Sequence, residues 1–306
     1  MRAVLIVNPA ATRTTVRSRE VLANALRAEL NLDVVVTAHR GHATEVARNA
    51  SKSGTDLVIA LGGDGTVNEA VNGLLESGPN PNGPRLAVVP GGSTNVFARA
   101  LGLPNDPIEA TGQLLDALRA GRARQVGLAT ADGRWFTFCA GLGLDAEVVG
   151  DVESRRSSGA RLSGPLFVRT ALARFYRETE RAEPGLTVYA RDEAPIEGVF
   201  MLIVQNTAPW TYLGDRRIDP CPGASFDTGL DLFGLTRLRT LSTARHARQL
   251  LRSRQPHGKD VVGRHDVAAL TVRASRPTAL QLDGEAVGVR DHVEFVSHPM
   301  ALSVVV

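Results

Sequence analysis

Asp64 stands among glycines in the run Asp56–Glu69, DLVIALGGDGTVNE. Leu57–Leu61 is apolar, rich in β-branched residues and too short for a helix. It predicts a strand buried on both faces, as in a parallel sheet. The strand ends in Gly62, Gly63, Asp64 and Gly65, where three glycines let the backbone take positive φ and approach a ligand closely. Val67, Ala70, Val71, Leu74 and Leu75 then recur at helical spacing, so a helix starts at Gly65 or Thr66. A strand, a glycine turn and a helix N-terminus direct free N–H groups and the positive end of a helix dipole at one spot, which suits an anion such as phosphate. A tight turn with no ligand has the same composition. Asp64 and Glu69 favour the ligand, because carboxylates beside phosphate make sense mainly with a divalent cation between them.

A second loop of the same kind follows. Arg85–Val89 predicts another buried strand, which runs into Pro90, Gly91, Gly92, Ser93, Thr94 and Asn95 and then a helical Val96–Ala100. Two such loops on neighbouring strands can grip one polyphosphate from both sides. The commoner nucleotide motifs are absent. There is no G-x-x-x-x-G-K-[ST], and the only lysines, Lys52 and Lys259, lie outside the glycine loops. Gly63-Asp64-Gly65 also lacks the third glycine of a dinucleotide fingerprint.

The elements that must position these loops are alternating strands and helices. Ala3–Val7 predicts a strand, ending at Asn8-Pro9 on the carboxyl edge of a sheet. Ser18 is placed to cap a helix carrying Val21, Leu22, Ala25, Leu26 and Leu30. Asp33–Val36 predicts a second strand ending at Thr37, and Ala43–Ser53 a helix with Thr44 at its start. His39 and His42 have no third metal ligand nearby. Pro107–Arg119 is amphipathic and closes at Gly121. Beyond about residue 123 the pattern changes to short strands with Asp132-Gly133 and Asp283-Gly284 turns among them. The expected fold class is therefore α/β plus β. A doubly wound parallel-sheet nucleotide domain (1–123) precedes an antiparallel β-sandwich domain (124–296). The sandwich carries a helical insertion over Ser163–Arg181, and a terminal strand (297–306) follows it.

The 306 residues suffice for two domains, and 43% hydrophobic with 22% charged residues is ordinary for a globular protein. Cys139 and Cys221 cannot build a disulfide framework. The net charge of +3 suits an anionic surface or a polyanionic ligand. No signal peptide and no apolar run near about 18 residues is present, so the expected place is the cytoplasm.

The strings GGDGTVNEAVNGL (62–74) and PGGSTNVFARALGLP (90–104) resemble the catalytic domain of the diacylglycerol kinase family, which includes bacterial lipid kinases and sphingosine kinases. The resemblance implies ATP as phosphoryl donor and Mg2+ as cofactor. It implies transfer of the γ-phosphoryl group to diacylglycerol, giving phosphatidic acid. It implies nucleotide contacts from Asn8, Pro9, Thr37, Gly62, Gly63, Asp64, Gly65, Thr66, Asn68, Glu69, Gly92, Ser93 and Asn95. Asp64 would hold the metal through water, and a further magnesium would sit at Ser225, Thr228 and Leu230. The chain departs from the family in several places. After Asn8-Pro9 the chain has Ala10, Ala11 and Thr12 where Ser/Ala-Gly is usual, Val96 stands where an Asp is usual, and Asp227-Thr228 where two acids are usual.

Transfer to an alcohol also needs a carboxylate that accepts the hydroxyl proton. Asp283 and Glu285 flank Gly284 and could equally be a solvated hairpin turn. The resemblance implies that one of them is the base, and Glu285 is favoured. A lipid acceptor implies a peripheral protein on the inner, anionic face of a membrane. The basic, apolar stretches Pro165–Arg181 and Thr243–Arg254 suit such contact. Trp210 and Tyr212 could line an acyl pocket or fill the sandwich core. No nucleic-acid partner is expected, and a homodimer stays open. Three alternatives also stay open: another lipid alcohol (a sphingoid base or a prenol), a soluble nucleotide acceptor, and a nucleotide-binding regulator without turnover.

Overall fold

All six residues of β3 (Leu57–Gly62) are buried, as a strand covered on both faces requires. The computed structural model describes residues 1–143, 146, 185–191, 193–238, 240–252 and 255–306. The expected helical insertion at 163–181 lies outside the described residues, as does Arg254. The chain divides into two units, Met1–Leu128 with His298–Val306, and Ala129–Ser297.

The first unit is a parallel sheet built from β1 (Arg2–Val7), β2 (Asn31–Val36), β3 and β4 (Arg85–Pro90). The order is β2-β1-β3-β4, and Val304 near the end of β16 (Glu285–Val304) pairs parallel with Leu86 on β4. Alternation of side chains splits the strands between two layers. Leu5, Val7, Leu57, Ile59, Leu61, Ala87 and Val89 point into one cluster with Leu22, Leu26, Leu114 and Ala117. The last four belong to α1 (Val16–Arg27) and α5 (Pro107–Arg119). Helices α2 (His42–Lys52) and α3 (Asp64–Leu74) pack on each other and on β1 and β3. Gly73 permits this, because a Cβ there would lie 2.3 Å from the Thr44 carbonyl oxygen.

Two helix starts differ from expectation. Thr15, not Ser18, caps α1: Ser18 is the third helical residue, and the two side chains form a reciprocal capping box. Thr44 does not cap α2. The helix begins two residues earlier, behind Gly41 at φ +87°, and no side chain of its own turn caps it.

The second unit is antiparallel. β7 (Cys139–Gly143), β10 (Met201–Gln205), β13 (Leu230–Leu235) and β14 (Val261–Val267) form consecutive neighbours. β5 (Arg124–Ala131) pairs with β6 (Arg134–Phe136), and β8 (Leu186–Ala190) with β9 (Ile196–Val199). The long β15 (Ala269–Leu282) pairs with β16 along one edge and with two partners along the other. Its start pairs with β8 and its end with β7, with a register shift between Arg273 and Thr278. Pro277 in that interval has no N–H to give to a ladder. Strand alternation then builds two apolar layers. Leu202, Val204, Leu230 and Leu232 enter the larger core, while Ile203, Phe233 and Leu235 enter a smaller one with Cys221 and Ala224. A separate ribbon, β11 (Thr211–Leu213) with β12 (Arg216–Ile218), and α6 (Thr240–Leu251) complete the unit.

His246 is the one fully buried residue among 242–251 of α6. Burial first, then the adjacent Arg245 and His257, hold its imidazole below the ordinary value of 6.5, and Asp260 opposes them. The unfolded chain therefore takes up this proton first as pH falls below about 6.5, so stability is full above that value and declines beneath it. His298 is shifted the same way by burial. Thermal unfolding followed from about pH 7.5 to about pH 5 should show this acid decline, and His246→Gln should flatten it. An unchanged slope in the variant would remove His246 as its source.

Candidate functional site

From β1 the sheet runs to β2 on one side and to β3 on the other, so the winding reverses between β1 and β3. In open α/β sheets a ligand binds outside the carboxyl ends of the strands at such a reversal. The loops after β1, β3 and β4 meet there. Asn8 N–H donates to the Leu61 carbonyl at 3.0 Å, and Gly91 N–H to the Gly62 carbonyl at 2.7 Å.

The glycines of these loops are needed for contact between backbones. A Cβ on Gly92 would stand 2.6 Å from Gly63 Cα and 2.9 Å from Asn95 Oδ1. One on Gly62 would stand 2.5 Å from Thr66 Oγ1. One on Gly91 would stand 3.0 Å from Ala11 Cβ and 3.3 Å from Gly62 Cα. Around this contact the polar side chains act as braces. Asn8 Nδ2 donates to Thr66 Oγ1 at 2.9 Å, while its oxygen accepts from Ala10 N–H. Asn95 is buried at φ +52° and bonds both ways to the Gly92 backbone, and its amide also donates to Asn105 Oδ1 at 2.7 Å. Asp64 Oδ1 accepts from Phe97 N–H at 3.1 Å, joining the first turn of α3 to α4 (Val96–Ala100).

Gly63, Asp64 and Gly65 are half-buried between fully buried neighbours, and Ser93 is exposed on the second loop. Gly63, the residue that precedes α3, has no side chain of its own to cap the helix. The accessible tip thus combines backbone donors, a partial positive charge of about half a unit and one carboxylate. Among the described residues, no three His, Cys, Asp or Glu side chains cluster to hold a metal alone. The tip still fits Mg2+, which keeps several waters and takes one or two carboxylates with phosphate oxygens.

Other expected residues have different surroundings. Glu69 accepts from Gly41 N–H at 2.8 Å and Ala43 N–H at 3.1 Å, so its carboxylate is the missing cap of α2. Thr44 Oγ1 donates to the Glu69 carbonyl. Thr37, whose N–H donates to the Val7 carbonyl, opens the loop whose end Glu69 holds. Asn68 is buried, and its amide oxygen accepts from Asn72. Pro9 is exposed, and its carbonyl accepts from Arg19 at 2.8 Å. Sequence reasoning missed Arg19 and Asn105. Neither carries a local signal, since an Arg on a helix face or an Asn before a helix is ordinary surface composition.

In the second unit Asp283-Gly284 is a two-residue hairpin turn, with φ +50° and +80°. It is not solvated at Asp283, which is 5% exposed. Oδ2 accepts from Thr137 N–H (2.7 Å) and Oγ1 (2.9 Å), and Oδ1 from the N–H groups of Phe138 (3.0 Å) and Cys139 (3.2 Å). Glu285 is more accessible, with Oε2 3.6 Å from Arg134. Ser225 and Thr228 close a turn on each other: Ser225 N–H donates to Thr228 Oγ1, which donates to the Ser225 carbonyl. Leu230 is fully buried in β13. That trio has engaged hydroxyls and no carboxylate, so it does not fit a divalent cation. Cys221 is a core residue: burial pushes its thiol far above the ordinary range, so it stays protonated at neutral pH.

Residues 2–131 match the family model of the diacylglycerol kinase catalytic domain. Over those residues the chain is similar to that family. A diacylglycerol kinase of Bacillus subtilis (strain 168) is 38% identical over 156 residues, 50% of this chain and 50% of the relative. One of Staphylococcus aureus (strain Newman) is 34% identical over 159 residues, 51% of this chain and 48% of the relative. The chain spans about half the length of the curated relatives it matches. A crystal structure from Bacillus anthracis strain Sterne, provisionally named a diacylglycerol kinase, shares the fold. It has a TM-score of 0.77 and 22% identity, and the match covers 99% of this chain and 94% of that one. The fold of that structure, an α/β domain followed by a strand-rich domain, is thus shared by this chain.

Gly92→Ala should cost about 1–3 kcal/mol, because its methyl meets backbone that cannot rotate away. Asp283→Asn should cost a similar amount, since an amide turned toward these donors leaves some unpaired. Denaturant unfolding of both variants checks this, and wild-type midpoints would contradict the packing and clamp described.

Proposed function

We propose that the protein is an ATP-dependent lipid kinase that phosphorylates the free hydroxyl of diacylglycerol, giving phosphatidic acid. The family match over residues 2–131 and the names of the relatives support the reaction class. The observation that carries the reading is the pair of interlocked glycine loops at the sheet's reversal, with Asp64 half-buried in the first turn of α3.

The loop amides and the end of α3 bind the triphosphate and fix its direction. Asp64 would hold a magnesium ion, which when bound would supply neutralisation of charge on the phosphate oxygens. Ser93, exposed on the second loop, supplies a further hydroxyl donor. Asn8, Thr66 and Asn95 shape the loops, and Glu69 holds the Gly41 turn beyond Thr37. The acceptor oxygen forms a bond to the γ-phosphorus as the bond to the bridging oxygen of ADP breaks, and the hydroxyl proton passes to Glu285. Asp283 is the poorer base, because four donors already engage its lone pairs. It positions the hairpin that carries Glu285.

The expected location is the cytoplasm, at the inner membrane surface. No helix among the described residues is long and apolar enough to cross a membrane, so a lipid acceptor would be reached from the surface.

Transfer from γ-labelled ATP to mixed micelles of diacylglycerol, a sphingoid base and a prenol, resolved by product, tests the reading. Label should appear in phosphatidic acid. Glu285→Gln should lower kcat on the order of 10²–10⁴-fold at an unchanged melting temperature. Asp64→Asn keeps an acceptor for Phe97 and should still abolish transfer, whereas Asp64→Ala should also lose about 1 kcal/mol of stability. Label in another lipid moves the acceptor, and full turnover in Glu285→Gln removes it as base. No label in any lipid, with ATP still bound, would favour the regulator, for which Val96 and Thr228 in place of acids speak.

A further inference from the structure

We propose that the ribbon β11–β12 and the C-terminal half of α6 form one docking face for an anionic lipid bilayer. The proposal rests on the lipid-acceptor reading and adds the surface by which the second unit meets the membrane. Arg216 on β12 donates from Nη1 to the Leu251 carbonyl at 2.8 Å. That bond satisfies one of the open carbonyls at the helix end and ties ribbon to helix.

Charge on the joined surface is almost all of one sign. Residues 240–252 contain Arg245, Arg248 and Arg252 and no acid, and the ribbon adds Arg216 and Arg217 against Asp215, with Arg217 also paired at 3.2 Å to Asp219 just beyond it. Arg245, Arg248 and Arg252 follow each other at three and four residues, so they form a stripe along the helix, and all three are exposed. Leu251 lies beside the stripe at 40% exposure. On the ribbon, Tyr212 faces Arg217 across the strands, on the side opposite the buried Ile218. Trp210, half-buried, packs at the edge of the smaller core just before the ribbon.

An aliphatic side chain flanked by arginines, with Trp and Tyr nearby, matches the water–lipid boundary. Guanidinium groups meet lipid phosphates there, the aromatic rings rest at headgroup level and the leucine enters the acyl region.

Sedimentation with phosphatidylcholine vesicles containing about 30 mol % phosphatidylglycerol, against pure phosphatidylcholine, tests this on the full chain without ATP. The wild type should bind the anionic vesicles, release them in high salt, and shift its Trp210 emission to the blue while the buried Trp135 contributes a constant signal. Arg248→Ala with Arg252→Ala should weaken binding on the order of thirtyfold, about fivefold per basic side chain. Leu251→Asp should abolish the emission shift. Both variants should keep wild-type turnover on detergent-solubilised lipid. Equal vesicle binding by wild type and variants overturns the proposal. So does binding to duplex DNA, lost in the arginine variant, without binding to vesicles. Loss of turnover on solubilised lipid in the wild type would instead overturn the kinase reading.

Discussion

Gly63 and Gly92 are close enough that a single methyl on Gly92 would fall 2.6 Å from the facing Cα. Most of the first unit's candidate site depends on this contact. With the two loops in register, Gly91 N–H reaches the Gly62 carbonyl, Asn95 folds back on Gly92, and Asp64 meets the N–H of Phe97. The accessible ligand surface is what remains: a few backbone donors, one carboxylate and one exposed hydroxyl. Close packing of backbone on backbone is stiff, because neither side has a rotamer to change. Such stiffness is what a phosphate site needs, since donors that must reorganise around the ligand lose part of their effect.

Acidic residues in this protein divide by what surrounds them. Glu69 and Asp283 resemble Asp64 and Glu285 in sequence context, each lying within a few residues of a glycine turn. Their carboxylates are nonetheless engaged by backbone N–H groups, Glu69 at the start of α2 and Asp283 at Thr137–Cys139. A carboxylate so engaged holds a loop in place. Asp64 has a mixed role, with one oxygen at Phe97 and a half-exposed position at the tip. Each unit thus pairs an accessible acid with a structural one that fixes nearby backbone.

Much of the fold is legible in the sequence. Leu57–Leu61 and Leu86–Val89 are continuous apolar runs, and continuous burial is what they show. Helix starts were less legible, because a cap is chosen among neighbouring hydroxyls by geometry: Ser18 and Thr15 are both good caps, and both take part. The cap on α2 was not legible at all. Its donors and Glu69 are separated by 26 and 28 residues, and only the packing of α3 on α2 brings them together.

Two glycine loops, each after an apolar strand and before a helix, with one acid inside the first, were determined by sequence alone. Those features rest on local conformational preference and on spacing, which a chain carries wherever it folds. The tertiary structure decided which loops touch, which carboxylates are engaged and which stay accessible. Hydrogen-bond saturation depends on donors from distant segments, as when Thr137 meets Asp283 across 146 residues. No pattern within either segment announces the other.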